Sequence, residues 1–501
     1  MSNHNLETHH LKADSAHTAA EPRIAAPHIP AYVILSVVAA GIMSFCGVVV
    51  ETAMNITFPA LMKEFDIGTA TVQWITSGYL LMLAVIMPTS SFLNRRFSLR
   101  RQFGAASTLF LLGTILCGIA PGFAPMLIGR LLQGIGTGIA LPLMYNIVLT
   151  QVPPARRGTM MGIASLIPAA APAVGPSLGG LIVESMGWRM IFALLAPVLV
   201  AAMLIGFFCI HNNQDKAIKP SAVFDIPGWI LLALSFSCLI VMLSNFGTHR
   251  FFSVNVLGLL ILFLAALLLF VLHTLRLAGR SSAASPLIRL EVFQSRRFNC
   301  ALIAFVLMQF NCLGIGFLLP NYAQIVLGEN ALAAGCILLP GCAFAAVFAP
   351  AAGRLYDRFG ARIPLLTGAF CMLLSVSLFT GVFFRHPSVV VVTVIYIFFA
   401  FGQTNCVGNG MSNGMNALPA KLSADGNAVF NTMQQLFGAL GTAVISVITA
   451  KYQAVQGLAS GIAAGARTSF IVMLALGIIL VLAMFGALPH TAPKAAEPAS
   501  K

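Results

Sequence analysis

Charged residues are scarce in this sequence. Only 8% of its 501 residues are charged and 58% are hydrophobic, whereas a soluble domain ordinarily carries roughly 25% charged residues. So few charges cannot cover the surface of a water-soluble protein of this length, and the apolar excess must therefore face lipid. The composition excludes a soluble fold and indicates one body embedded in a membrane.

Several motifs of secreted proteins and enzymes are also missing. The ten cysteines form no CxxC pair and lie in or beside apolar runs, so neither a disulfide framework nor a metal site is expected. No GxxxxGK[ST] loop occurs, and nothing indicates a cofactor or ATP hydrolysis. Residues 1–30 lack the apolar core and cleavage site of a signal peptide, and we expect them to form a disordered tail.

Apolar stretches of about 20 residues recur fourteen times along the chain. Their arrangement predicts an all-α membrane protein with 14 transmembrane helices, built from two pseudo-symmetric six-helix bundles plus two inserted helices. The predicted spans are 31–57, 72–93, 103–121, 125–150, 158–183, 189–211, 225–246, 252–275, 299–324, 331–353, 363–384, 389–414, 427–450 and 468–488. The predicted divisions are the N-tail (1–30), the first bundle (31–211), the inserted helices with a cytoplasmic linker (212–298), the second bundle (299–488) and the C-tail (489–501).

The basic residues fall in short clusters between the apolar runs. The net charge of +14 therefore reflects membrane topology rather than a nucleic-acid partner, which would need one continuous basic face. When the loops are sorted alternately, one side carries 21 of the 28 Lys and Arg residues and the other side carries 6. Because cytoplasmic loops are enriched in Lys and Arg, both termini are predicted to lie in the cytoplasm, at a bacterial inner membrane.

Two segments repeat in one register. Ser91–Arg100 follows the second span and Gly353–Arg362 follows the tenth, so each stands after the second helix of a predicted bundle. Duplicated halves are common in membrane transporters. The alternative is two unrelated basic turns.

Glu51 is the one acid well within a predicted span. A charged carboxylate at mid-bilayer costs about 2.5–3.5 kcal/mol, and burial favours its protonated form. A carboxyl that opens alternately to each side, and gives up its proton when a cation binds, can exchange one for the other. The alternative is a structural acid bonded to a neighbouring helix. Its helical face also carries the small or polar residues Ser44, Gly47 and Asn55 and the aromatic Phe58, with Met54 alongside.

Arg130 is the basic counterpart inside the fourth span, followed at helical spacing by Gln133 and Gly134. A buried guanidinium needs acceptors, so Arg130 either polarises a proton path or ties helices together. Gly134, Gly136 and Gly138 indicate close helix packing. In the fifth span, Pro and Gly residues permit either a hinge for gating or tight packing; the main ones are Gly175, Pro176, Gly179 and Gly180.

Amide, aromatic and Met side chains recur in other spans. Amides within lipid must face a protein interior, so a central, adaptable and sparsely polar cavity is expected, with simple core packing as the alternative for each member. Besides Glu51, Met54, Asn55 and Phe58, the predicted substrate-binding residues are Tyr145, Met308, Gln309, Asn311, Phe317, Asn405, Asn409, Asn431 and Gln434.

These motifs resemble the major facilitator superfamily, in particular its fourteen-helix drug:proton antiporter branch of quaternary-ammonium and multidrug exporters. Glu51–Pro59 resembles the first-helix signature D-x-T-x-x-N-x-A-L-P, with Glu51 as its acid instead of Asp and one residue closer to Thr52 than in the signature. Arg130–Gly134 resembles the fourth-helix motif R-x-x-Q-G, and Gly175–Gly180 resembles the fifth-helix antiporter motif. Gly353–Arg362 fits the G-x-x-x-D-R-x-G-x-R loop, whereas the first copy has Arg95 in place of Asp.

The resemblance implies roles for these residues. Glu51 and Arg130 become the proton-coupling pair. A conformational clamp is implied at Asp357 and Arg358, framed by Gly353 and Gly360. The implied function is proton-coupled export of lipophilic or cationic drugs and biocides, with small molecules, protons and membrane lipids as partners and no enzymatic activity. Alternatives are an exporter of one metabolite, such as an amino acid, siderophore or peptide, and a receptor or channel. The short periplasmic loops offer no large docking domain for an adaptor protein.

Overall fold

The computed structural model describes residues 29–211, 223–245, 253–278, 286–383 and 387–488, and within them the chain is helical. The predicted tails lie outside these ranges, apart from residues 29 and 30. The helices are α1 (Ala31–Phe65), α2 (Thr69–Val72), α3 (Trp74–Ile86), α4 (Ser90–Arg96), α5 (Leu99–Gly118), α6 (Phe123–Gln151), α7 (Pro154–Met186), α8 (Arg189–Cys209), α9 (Ile226–Asn245), α10 (Val254–Ala278), α11 (Arg296–Ile325), α12 (Ala331–Cys336), α13 (Leu339–Phe359), α14 (Arg362–Val382), α15 (Val389–Met415), α16 (Ser423–Gln456) and α17 (Leu458–Ala487).

Twelve of the described helices are long and apolar enough to cross a membrane. The two other long helices, α5 and α7, stand where the third and fifth spans are predicted. α5 opens with Arg100, Arg101 and Gln102, and α7 is rich in Gly, Pro and Ala, so both are less apolar than their neighbours. The prediction of an all-α, multi-pass membrane protein is confirmed, and a count of fourteen crossings stays a prediction.

Two predicted spans are divided into shorter helices. The second span begins at Thr69 and continues through α2, α3 and a 3₁₀ turn at Met87–Thr89. Pro88 lies in that turn, and its missing N–H interrupts the α-helical bonding pattern. The tenth span consists of α12 and α13, with a proline in the first turn of α13. The predicted boundaries at residues 72 and 93 were therefore wrong by a few residues.

The helices pack in two halves that repeat one pattern. α1 packs against α6, α7 and α8, and α11 packs in the same way against α15, α16 and α17. α5 contacts α6 and α8, just as α14 contacts α15 and α17. Between the halves, α3 meets α16 and α13 meets α7, which is again a symmetric pair of contacts. This repeated pairing is what duplicated transporter halves produce.

The inserted helices α9 and α10 pack on each other and stand beside one of the two contacts between the halves. α9 contacts both α3 and α16. The Trp229 indole N–H donates to the Val85 carbonyl oxygen over 3.0 Å. At the start of α9, the buried Asp225 carboxylate lies 2.7 Å from Nε2 of His273 on α10. The inserted pair is therefore held together by a polar contact and is anchored to the first half.

Candidate functional site

The Glu51 carboxyl is in the middle of α1 and is only 7% exposed. Among the described residues it forms no ion pair or side-chain hydrogen bond, although it interacts electrostatically with Arg130 of α6 and Tyr79 of α3. A carboxyl that is buried without a fixed partner is costly to keep ionised. The geometry therefore leaves Glu51 free to bind either a proton or a cation.

Arg130 is fully buried and held by neutral groups. Its Nε donates to the Ile75 carbonyl oxygen over 3.0 Å, and its Nη1 donates to Oε1 of Gln133 over 2.8 Å. Its guanidinium carbon stands 4.3 Å from the centre of the Tyr79 ring, a cation–π distance. Within the described ranges, Nη2 has no acceptor. The guanidinium is thus oriented by three contacts and still offers one donor.

A hydrogen-bonded chain extends from Arg130 into α5. Nε2 of Gln133 donates to the Thr114 hydroxyl over 2.9 Å, and that hydroxyl donates to the Phe110 carbonyl oxygen over 2.8 Å. Glycines allow α6 to approach both neighbours closely: a Cβ on Gly136 would stand 2.7 Å from the Ala106 carbonyl oxygen of α5, and one on Gly134 would stand 2.8 Å from the Tyr79 carbonyl oxygen of α3. The prediction that the glycines of the fourth span serve close packing is confirmed. The buried charge is therefore built into a rigid contact of α3, α5 and α6.

The predicted neighbours of Glu51 on α1 face α3 and α11. Asn55 accepts a hydrogen bond from Thr76 over 3.3 Å, and its Nδ2 stands 3.8 Å from where a Cβ on Gly316 would be. The Phe58 ring packs on Phe317 with 5.7 Å between centroids. Met54 is fully buried. Asn55 and Phe58 therefore lie where the first half meets the second half, one and two turns from Glu51.

On α11, Met308, Gln309 and Asn311 are buried. Within the described part of the chain, Oδ1 of Asn311 has no hydrogen-bond donor. Gln309 lies beside Gly438 of α16, with its Cγ 3.8 Å from the position of a glycine Cβ. An amide oxygen left without a donor in a buried position is a natural acceptor for a ligand or water.

Several predicted binding residues are not brought to this place. Asn405 donates to the Phe401 carbonyl oxygen and packs beside α14, and Asn409 donates over 3.2 Å to the Ala352 carbonyl oxygen of α13. Asn431 donates to Asn427 of its own helix. Tyr145 packs on an apolar cluster between α1, α5 and α8, and Gln434 is partly exposed on α16. Of the two α15 amides, only Asn409 bonds to another helix, and a binding role for these five residues stays a prediction.

The glycines of α7 are contact points between helices. A Cβ on Gly179 would stand 2.8 Å from the Cβ of Ala53 on α1, and one on Gly175 would overlap Thr52. Gly180 lies against the backbone of Ala331 in α12, which belongs to the second half. A Cβ on Gly335 of α12 would in turn overlap the backbone of Pro176. α7 is therefore fitted between α1 of its own half and α12 of the other half.

Gly180→Val should weaken this contact. The new side chain would overlap the Ala331 backbone, which cannot yield as a flexible side chain does, so the halves should separate at this end. Spin labels at Lys63 and Lys451, exposed at the ends of α1 and α16, should show a longer distance population by electron spin resonance. Gly104→Val is the matched control, because nothing lies within 4 Å of its Cβ position. An unchanged distance distribution in the Gly180 variant would contradict this packing role.

The hydrogen bonds that the structure shows between the halves lie on one side or near the middle. Thr69 donates to Gln453 over 2.8 Å, and Ser446 donates to the Thr69 carbonyl oxygen over 3.1 Å. Gln324 donates to the Ile56 carbonyl oxygen, and Glu184 accepts from the Ala331 N–H. These residues stand near the helix ends opposite the arginine-rich loops. The halves are therefore joined at the side predicted to be periplasmic.

The predicted clamp lies at the end of α13. Gly360 ends this helix with φ +73°, a conformation that favours glycine. The Arg358 guanidinium stands 5.3 Å from the ring centre of Phe359, and nothing lies within 4 Å of a Cβ position on Gly353. The side chain of Asp357 lies outside the described part of the structure. A clamp at Asp357 and Arg358 therefore stays a prediction.

Comparison with known proteins assigns the chain to a protein family. The sequence profile of the Major Facilitator Superfamily matches residues 40–442. The chain is 34% identical to the lincomycin resistance protein LmrB of Listeria innocua, over 86% of this chain and 89% of that protein. It is 30% identical to the tetracenomycin C resistance and export protein of Streptomyces glaucescens, over 89% and 80%. A crystal structure of a D-xylose–proton symporter shares the fold, with a TM-score of 0.65, 13% identity and coverage of 91% and 98%.

Proposed function

This chain belongs to the Major Facilitator Superfamily of membrane transporters, and from that premise we propose that it is a proton-coupled antiporter exporting lipophilic or cationic compounds. Membership of this family indicates that the protein is a transporter and not an enzyme. The names of the relatives, which refer to antibiotic resistance and export, support a drug-like substrate. The proton gradient is the proposed energy source, with no cofactor.

One observation carries the proposal. The only acid deep within the described apolar helices, Glu51, has no fixed partner and stands within electrostatic range of a buried arginine. A carboxyl in such a place can bind a proton or a cationic group, but not both at once. The proton and the cation compete for one carboxyl. If that carboxyl opens to each side of the membrane in turn, export of the cation is coupled to entry of the proton.

The proposed topology follows the distribution of charge. We place the protein in the bacterial inner membrane with fourteen crossings and both termini in the cytoplasm, because the arginine-rich loops all emerge on one side. The hydrogen bonds that the structure shows between the halves then lie towards the periplasm or near the middle.

The deciding experiment is proton release from inverted vesicles. In vesicles acidified inside by an imposed pH gradient, adding a transported compound should release protons, and an uncoupler should abolish the response. For a one-for-one exchange, one pH unit corresponds to about 1.4 kcal/mol and sustains roughly a tenfold gradient of substrate. Substrate flux without proton movement would overturn the antiport proposal.

Breadth of substrate separates this proposal from a single-metabolite exporter. Expression in a strain lacking its own efflux pumps should raise tolerance to several unrelated dyes or biocides. Tolerance to none of them, with export of one amino acid, siderophore or peptide, would identify the alternative.

A further inference from the structure

One face of α11 stands out by its exposure. From Ala304 to Ala323 every residue is buried except Cys312 and Gly316, which are partly exposed. These two residues are one turn apart, so they share a face of the helix. Both are small. α11 therefore presents a narrow open strip within an otherwise buried surface.

This strip faces the acid of the first half. Nδ2 of Asn55 is 3.8 Å from the position of a Cβ on Gly316. Glu51 precedes Asn55 by four residues, as Cys312 precedes Gly316, and each step of four residues rises about 6 Å along a helix. α1 and α11 occupy equivalent places in the two halves and run in the same direction. Because Asn55 approaches Gly316, the matching four-residue steps place Glu51 and Cys312 at one level on these two contacting helices.

Polar side chains of two further helices join Cys312. Nε2 of Gln403 on α15 donates to its sulfur over 2.9 Å. The Cys342 sulfur of α13 lies 3.5 Å from the Tyr396 hydroxyl of α15, and Tyr396 and Gln403 are seven residues, or two turns, apart on that helix. Cys342 and Gln403 are partly exposed as well. α15 packs against both α11 and α13, so these partly exposed thiol and amide groups lie on neighbouring helices, and we name Cys312, Cys342 and Gln403 the thiol wall.

We propose that the thiol wall is the second side of the substrate site, contacting the body of an organic cation whose positive charge is held by Glu51. The proposal rests on the proposed export function. Sulfur is soft and polarisable and favours aromatic neighbours, so the wall suits a flat, polarisable body beside the charge. The Gln403 amide adds an acceptor and donor for polar groups on the same compound. The small residues Cys312 and Gly316 leave room for that body.

The test uses charged thiol reagents and needs no knowledge of the natural substrate. The Cys312 thiolate attacks the sulfenyl sulfur of a methanethiosulfonate, forming a mixed disulfide and releasing methanesulfinate, while the thiol proton goes to water. Inverted vesicles are treated at alkaline pH with the trimethylammonioethyl or the sulfonatoethyl reagent, and modification of each cysteine is followed by peptide mass spectrometry. We expect Cys312 to prefer the cationic reagent, and this preference should fall at least about tenfold in Glu51→Gln.

An internal control is the buried Cys406, which is 2% exposed between α14 and α15. It should remain unmodified, and Cys406→Ser should transport normally. Cys312 as unreactive as Cys406, or a charge preference unchanged by Glu51→Gln, would overturn the proposal.

Protection of Cys312 by a bound organic cation tests whether the thiol wall belongs to the substrate site. Tetraphenylphosphonium should slow the modification of Cys312 at least about fivefold in the wild-type protein, as expected when a bound cation covers the thiol. An unchanged rate would overturn the binding role. The proposed antiport fails separately: loss of proton release with protection intact would refute coupling but not the thiol wall.

Discussion

Inverted vesicles carrying Glu51→Gln should release no protons when a transported compound is added. Glutamine keeps the size and polarity of the side chain but cannot bind and release a proton, so the exchange loses its carrier. With a gradient of two pH units, wild-type protein should sustain about a hundredfold substrate gradient. The variant should sustain none. Proton release is followed with a pH-sensitive dye, beside uptake of the labelled compound.

A second acid on the same helix supplies the control. Glu64 is 40% exposed and lies 2.6 Å from Arg189 at the end of α1. Exposed ion pairs contribute about 0–1 kcal/mol, so Glu64→Gln should fold and couple normally. Wild-type proton release from Glu51→Gln would remove Glu51 from the mechanism. Glu51→Asp should keep coupling, because the titratable group is retained.

Arg130→Met should abolish transport and lower the stability of the fold. The substitution fills similar volume but leaves the Gln133 amide oxygen without its donor, at a cost of about 1–3 kcal/mol. It also removes the positive charge near Glu51. Arg130→Lys should fail in transport as well, because one ammonium cannot reproduce the fixed fork that serves the Ile75 carbonyl and Gln133 together. Thermal denaturation in detergent and vesicle uptake measure the two effects.

A double-mutant cycle measures the Arg130–Gln133 interaction, and an exposed arginine serves as the control. Arg130→Met and Gln133→Leu should be coupled by about 0.5–3 kcal/mol, since the two side chains share one hydrogen bond. Arg289 is 48% exposed and 3.8 Å from Asp425, and Arg289→Met should change stability and transport little. Normal transport by Arg130→Lys would show that charge alone is required.

Glu51 and Arg130 could be found from the sequence because a charge in an apolar stretch is costly wherever the helix packs. Of the contacts that hold Arg130, only Gln133 was indicated, by its helical spacing from Arg130. Tyr79 is an ordinary aromatic residue in an apolar run, and the Ile75 carbonyl carries no sequence signal at all. Only the packing of α3 on α6 brings both to the guanidinium.

The asparagines of α15 show a second limit. A spacing of four residues correctly indicates one helix face, but it does not say which neighbour covers that face. In the structure, Asn405 packs beside Gly368 of α14, and Asn409 donates to the Ala352 carbonyl oxygen of α13. The thiol wall was missed for the same reason: Cys312 and Cys342 are far apart in sequence and resemble ordinary small core residues. Likewise, the Asp225–His273 contact joins residues from different spans, and no spacing in the sequence relates the two.

The position of α9 has a consequence for the route of lipophilic compounds. Two seams separate the halves, one between α3 and α16 and the other between α7 and α13. α9 covers the first seam, whereas α9 and α10 make no comparable contact with α7 or α13 in the described ranges. A compound dissolved in the bilayer therefore meets α9 at the first seam, whereas the second seam borders the lipid directly. Entry from the membrane should be one-sided, at the seam between α7 and α13.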